Sequence, residues 1–153
     1  MFGSWGKASK DNHTIQLRSL DWDLTGPFWK FPAITVYHLN GTLGGTWANF
    51  GILGFMGVFS GINEKQMAVS EIGVTFSDET FGNESRFGNP FTYMLRDILQ
   101  FDNNLDEAIK RLVDGHRTCN LLFGVGDGKK GFETFRGFQL SHDVCNVYND
   151  SNL

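Results

Sequence analysis

The chain has 153 residues, 41% of them hydrophobic and 15 of them Phe, which suits one domain with a substantial core and argues against a disordered chain. A net charge of −4 gives no reason to expect nucleic acid, which wants clustered Lys and Arg. No apolar run approaches the roughly 20 residues a helix needs to cross a bilayer; the longest, 50–59, is broken by Gly51, Gly54 and Gly57.

Residues 2–6 read as a short strand, 9–12 as a turn, and 14–18 as the return strand of a hairpin. The alternating run ends in Arg18; three residues later comes Asp21, with Trp22 beside it. A strand end is where a fold presents groups to a ligand. Arg offers a fixed fork of donors suited to a carbonyl oxygen or an oxyanion. Asp accepts hydrogen bonds and holds an amine in place. From spacing alone, a surface ion pair capping the strand is the simpler reading.

Residues 22–32 form a loop carrying Phe28 and Trp29, suited either to bordering a pocket or to packing on a sheet edge. Residues 33–39 are the clearest strand, and Asn40-Gly41 predicts a tight hairpin turn at positive φ. Strands follow over 44–50, 56–60 and 67–76, with a turn at 63–65. The run 69–75 is apolar enough to be covered on both sides, which makes Glu71 a candidate buried carboxylate, with a solvent-facing position at the strand end as the favoured reading. Residues 78–88 read as a surface connector.

Asn89 as N-cap and Pro90 in the first turn open a helix whose stripe is Phe91, Met94, Leu95 and Ile98. A second helix has Asn104 as cap, Glu107 at the reciprocal position, a face of Leu105, Ala108, Ile109, Leu112 and Val113, and a stop at Asp114-Gly115. The two helices must lie on a sheet to bury those stripes. Strands are predicted over 118–125, 131–136 and 144–148, with a hairpin loop at 127–130. The glycines at 124, 126 and 128 lack the Gly-Lys-Ser/Thr and the helix of a phosphate loop. Cys119 and Cys145 are expected in strands as buried thiols, with one disulfide as the alternative. His142 is read as a surface residue. Four N-x-S/T sequons, at Asn12, Asn40, Asn83 and Asn149, point to a secreted or lysosomal glycoprotein.

Two stretches carry a resemblance. Residues 2–9, Phe-Gly-Ser-Trp-Gly-Lys-Ala-Ser, with the turn 9–12 and Arg18-Ser19-Leu20-Asp21, resemble the first hairpin of the cysteine amidases with an N-terminal nucleophile. That group includes acid ceramidase, N-acylethanolamine acid amidase, bile salt hydrolase and the penicillin acyltransferases. Asn12 stands where the family has a turn Gly, and Ser19 where it has Asn. The run Gly61-Ile62-Asn63-Glu64-Lys65-Gln66 resembles the family's Gly-x-Asn-Glu-Lys-Gly turn, with Gln66 replacing the second Gly.

The resemblance implies an α+β fold: antiparallel β-sheets with an antiparallel helix pair, part of a four-layer αββα sandwich. It implies hydrolysis or acyl transfer at a linear amide by a cysteine at the mature N-terminus, whose α-amine takes the thiol proton. By position Arg18 contacts the carbonyl or its developing charge, and Asp21 orients the amine. Trp22, Trp29 and Asn63 are the substrate-binding candidates, with Trp5 and Phe28 as further pocket aromatics. No metal or organic cofactor is implied. The expected partners are an acyl-amide or lipid substrate and the missing remainder of its own domain. The nucleophile is expected two residues before Met1, or on Phe2 in another register. The chain therefore reads as the N-terminal portion of one domain, inactive alone. A catalytically dead remnant that binds a lipid or protein is the alternative, and an ester-cleaving acyl hydrolase a third.

Overall fold

The computed structural model describes residues 2–19, 25–129, 131 and 133–152. Its strands are β1 (Phe2–Ser4), β2 (Ile15–Leu17), β3 (Pro32–Tyr37), β4 (Trp47–Ile52), β5 (Ser60–Asn63), β6 (Met67–Gly73), β7 (Leu121–Asp127), β8 (Phe135–Leu140) and β9 (Cys145–Tyr148). Helices α1 (Phe91–Phe101) and α2 (Leu105–Asp114) lie between β6 and β7. Strands β3 to β9 form one antiparallel sheet in sequence order, and β1 and β2 form a separate hairpin. The fold is α+β in three layers, with the hairpin on one face of the large sheet and the helix pair on the other.

The helices dock because their apolar stripes match the sheet's buried rows. Met94, Leu95, Ile98 and Leu99 from α1 join Leu105, Ala108 and Leu112 from α2 over Trp47, Met67, Val69, Phe123 and Val125. The helix α1 packs on β5 and β6, and α2 on β7 and β9. Asn104 caps α2, its side chain accepting from Glu107 N at 3.0 Å. Glu107 accepts in return from Asn103 N at 2.7 Å and from Asn104 Nδ2 at 3.0 Å, not from the Asn104 backbone N–H of a standard capping box. The first helix starts one residue later than its sequence signals, with Pro90 as N-cap and Asn89 N bonded to His116 O. Val113 falls off the buried stripe and is exposed.

On the opposite face, β1 sits against β7 and β2 against β6. Gly3 permits this approach: a Cβ there would lie 2.6 Å from the Phe135 ring. Beyond the hairpin the same face continues across β5, β4 and β3 as Ile62, Phe50, Ile34 and Val36, all exposed. Ile15 and Leu17, on the hairpin's outer side, are exposed as well.

Three local expectations change. Asn40 is extended at φ −75, and the β3–β4 connection is a 3-10 turn, Gly41–Leu43, with the positive φ at Gly44 (118). Gly44 packs onto α1, where a Cβ would meet Gln100 O at 2.7 Å, so the loop follows the helix instead of closing tightly. The strand expected at 56–60 lies at Ser60–Asn63. Cys119 precedes β7 instead of lying in a strand, and both thiols are free.

Candidate functional site

Phe2 pairs with Leu17, so Arg18 stands at the hairpin end where β1 begins. Alternation along β2 turns Gln16 and Arg18 toward the large sheet. Gln16 Nε2 donates to Gly124 O at 2.9 Å and also to Ser70 Oγ. Thr14 Oγ1 donates to Thr134 Oγ1 at 2.8 Å. These polar contacts lie between hairpin and sheet and fix the register in which Arg18 is delivered.

Strand β5 starts at Ser60, opposite Ser70. The next β6 residue, Glu71, therefore has no β5 residue beside it. Arg18 enters that gap. Its Nε donates to Ser60 Oγ at 2.6 Å, and its guanidinium carbon lies 5.8 Å from the Phe59 ring centre. Nη1 is 3.6 Å from Glu71 Oε1, with the two side chains only 10% and 4% exposed. That Nη1 is buried and makes no hydrogen bond.

Glu71 is thus buried, against the solvent-facing expectation. Its place in the helix-side row with Met67 and Val69 sets this, and the missing β5 neighbour leaves room for a guanidinium. Burial pushes its carboxyl above the usual range, and the nearby Arg18 only partly offsets that. Burial likewise lowers Arg18, against the opposing pull of Glu71. The two shifts agree: both charges have lost water, and their attraction does not fully restore the loss.

The other sequence candidates are placed as follows. Asp21 and Trp22 lie outside the described residues. Trp29, in a 3-10 turn Phe28–Lys30, is 55% exposed, with Lys30 Nζ 5.6 Å from its ring. Trp5 stacks on Phe135 at 5.9 Å and helps seat the hairpin. Phe28 is exposed. Asn63 is at the other end of β5 from Ser60, with its amide engaged by backbone. It donates to Leu99 O at 2.9 Å and Asp102 O at 3.4 Å, and accepts from Met67 N at 2.9 Å. The structure gives Asn63 the work of fastening α1 to the β5–β6 turn and does not bring it to Arg18. Burial pushes both cysteine thiols up, so neither is an activated nucleophile. Among the described residues no cluster of His, Cys, Asp and Glu fits a metal ion, and no helix is long and apolar enough to cross a membrane.

This architecture is similar to that of a Caenorhabditis elegans N-acylethanolamine-hydrolyzing acid amidase ortholog, with a TM-score of 0.76 and 19% identity, over 96% of this chain and 62% of that one. The chain has an Ntn-hydrolase-like fold. In sequence it is 30% identical over 148 residues to Protein dcd1B of Dictyostelium discoideum, covering 97% of this chain and 28% of that protein. It is 29% identical over 157 residues to Protein dcd1A of the same organism, covering 98% and 34%. The chain therefore spans about a third or less of those relatives. No protein-family model matches it.

Proposed function

We propose that the complete protein is a hydrolase or acyltransferase acting on a linear amide through an N-terminal cysteine. The observation that carries this is the buried Arg18 guanidinium, held beside the start of β1 by Ser60 and facing Glu71. A guanidinium capping a strand at the surface would sit in water; the Arg18 side chain is only 10% exposed. The amidase fold similarity supports the same reading.

In the proposed reaction the cysteine sulfur bonds to the carbonyl carbon while its proton passes to the α-amine. Arg18 stabilises the charge developing on the carbonyl oxygen. Asp21 orients the α-amine, whose ordinary pKa near neutrality suits proton transfer. The tetrahedral intermediate then expels the substrate amine, which takes up that proton. Water or a second acceptor cleaves the thioester. Trp22 and Trp29 border the acyl group.

The exposed Ile34, Val36, Phe50 and Ile62 suit cover by further β-structure of the same protein. The sequon residues Asn12, Asn40 and Asn83 are exposed, in keeping with glycosylation in a secreted or lysosomal protein.

The test is turnover of an N-acylethanolamine, beside the ester of the same acyl chain, by the full-length protein at acidic pH. Amide cleavage dependent on the N-terminal cysteine supports the proposal. Cleavage of the ester alone favours an acyl hydrolase, and cleavage of neither favours an inert, lipid- or partner-binding remnant.

A further inference from the structure

Two arginines of this protein meet carboxylates in different ways. Arg111 engages Asp102 through two bonds, Nε to Oδ2 at 2.8 Å and Nη2 to Oδ1 at 2.5 Å. That fork is fully occupied by its partner. Arg18 also has a buried carboxylate beside it, yet makes no such pair. Its Nη1 stops 3.6 Å from Glu71, beyond hydrogen-bond reach.

The difference lies at Nε. In Arg18 that atom is taken by the Ser60 hydroxyl at 2.6 Å. The preceding residue, Phe59, lies beneath the guanidinium at 5.8 Å. An edge bond from residue 60 and a face contact from residue 59 together fix the plane of the fork. With Nε held, the guanidinium cannot swing about its stem to offer two parallel N–H groups to Glu71. We propose that Ser60 is a positioning residue that holds Arg18 off Glu71, so that the terminal nitrogens of the guanidinium are not locked in a bidentate pair and can serve a substrate carbonyl. This rests on the amidase reading.

Ser60 is suited to the role by its place in the sheet. It is the first residue of β5, with its hydroxyl on the hairpin side, and it pairs across the sheet with Ser70. Ser70 carries the neighbouring contact to Gln16, which seats the hairpin but does not touch Arg18. The pair Ser60 and Ser70 therefore separates positioning from simple docking.

The test uses the full-length protein and an N-acylethanolamine, with Ser60→Ala, Ser60→Thr, Ser70→Ala and Arg18→Ala measured side by side for kcat, KM and Tm. Ser60→Ala should lower kcat by about 10-fold or more with KM nearly unchanged, because the contact acts on charge formed in the transition state. Ser60→Thr, which keeps the hydroxyl, should recover most of the loss. Ser70→Ala should keep near wild-type kcat. Wild-type kcat in Ser60→Ala, with Arg18→Ala dead, overturns the positioning role and leaves the amidase reading standing. Equal losses in Ser60→Ala and Ser70→Ala that follow Tm also overturn it, since a structural role alone explains them. Wild-type turnover by Arg18→Ala removes the amidase site itself, and this proposal with it.

Discussion

Arg18 Nη1 and Glu71 Oε1 stand 3.6 Å apart, nearly shut off from water and not hydrogen-bonded to each other. Because burial raises the Glu71 carboxyl, the folded chain binds this proton more tightly than the unfolded chain does. Its contribution to stability is fully present below the unfolded value near pH 4 and is lost as pH rises through the folded value. Each pH unit of that window is worth at most about 1.4 kcal/mol. Urea melts of wild type and Glu71→Gln across pH 4 to 7 should differ in slope, with the variant losing this decline. Identical slopes would remove Glu71 as a titrating group.

Asn63 is predicted to matter to stability. Its side chain satisfies two carbonyls at the end of α1 and the Met67 N–H, in a buried setting. Asn63→Ala should cost about 2–3 kcal/mol, because those backbone groups lose partners away from water. A shift in the urea midpoint reads this directly. A midpoint within error of wild type would show that water replaces the amide.

Gln66 occupies a left-handed conformation at φ 60, between Asn63 and the start of β6. Its N–H bonds Asn63 O, and its carbonyl accepts from Gly128 N, so the turn cannot relax. Gln66→Gly should stabilise the chain by about 0.5–1 kcal/mol, since glycine adopts positive φ without the Cβ penalty. The corresponding rise in Tm is about 1–4 °C. A fall in Tm would mean that the Gln side chain contributes more than its backbone strain costs.

Gly3→Ala tests how the hairpin is seated. A Cβ would meet the Phe135 ring at 2.6 Å and lift β1 from the sheet. The helix pair and the central strands do not depend on that contact. Hydrogen exchange should therefore quicken in β1 and β2 while protection in α1, β6 and β7 stays. Uniform loss of protection would show that hairpin and sheet unfold as one unit.

The helices were legible because their signals are local: an i, i+3, i+4 stripe, an Asn cap, an Asp-Gly stop. Even so, Val113 looked like core until packing turned it outward. Asn40-Gly41 carries a strong turn signal, but Gly44 and its fit against Gln100 decide the loop. Arg18 was legible as a residue at a strand end. Its partners were not: Ser60 lies 42 positions away, and the pairing depends on where β5 begins. Glu71 was legible as a candidate buried carboxylate, but the favoured solvent-facing position was wrong for the same reason, since only the short β5 opens the gap that Arg18 fills. Asn63 drew attention as part of a motif, and its bonds to Leu99 O and Met67 N, which hold a turn to a helix, could not be read from that motif.

The most direct measurement is the kcat/KM of Arg18→Ala against an N-acylethanolamine in the full-length protein. It is taken at acidic pH, toward which the burial-raised Glu71 carboxyl shifts to its neutral form, so that less unpaired charge is left when Arg18 is removed. The account predicts a loss of about 100-fold or more, as for removal of a donor to a developing oxyanion, with the folded state retained by circular dichroism. Turnover near the wild-type rate would contradict it.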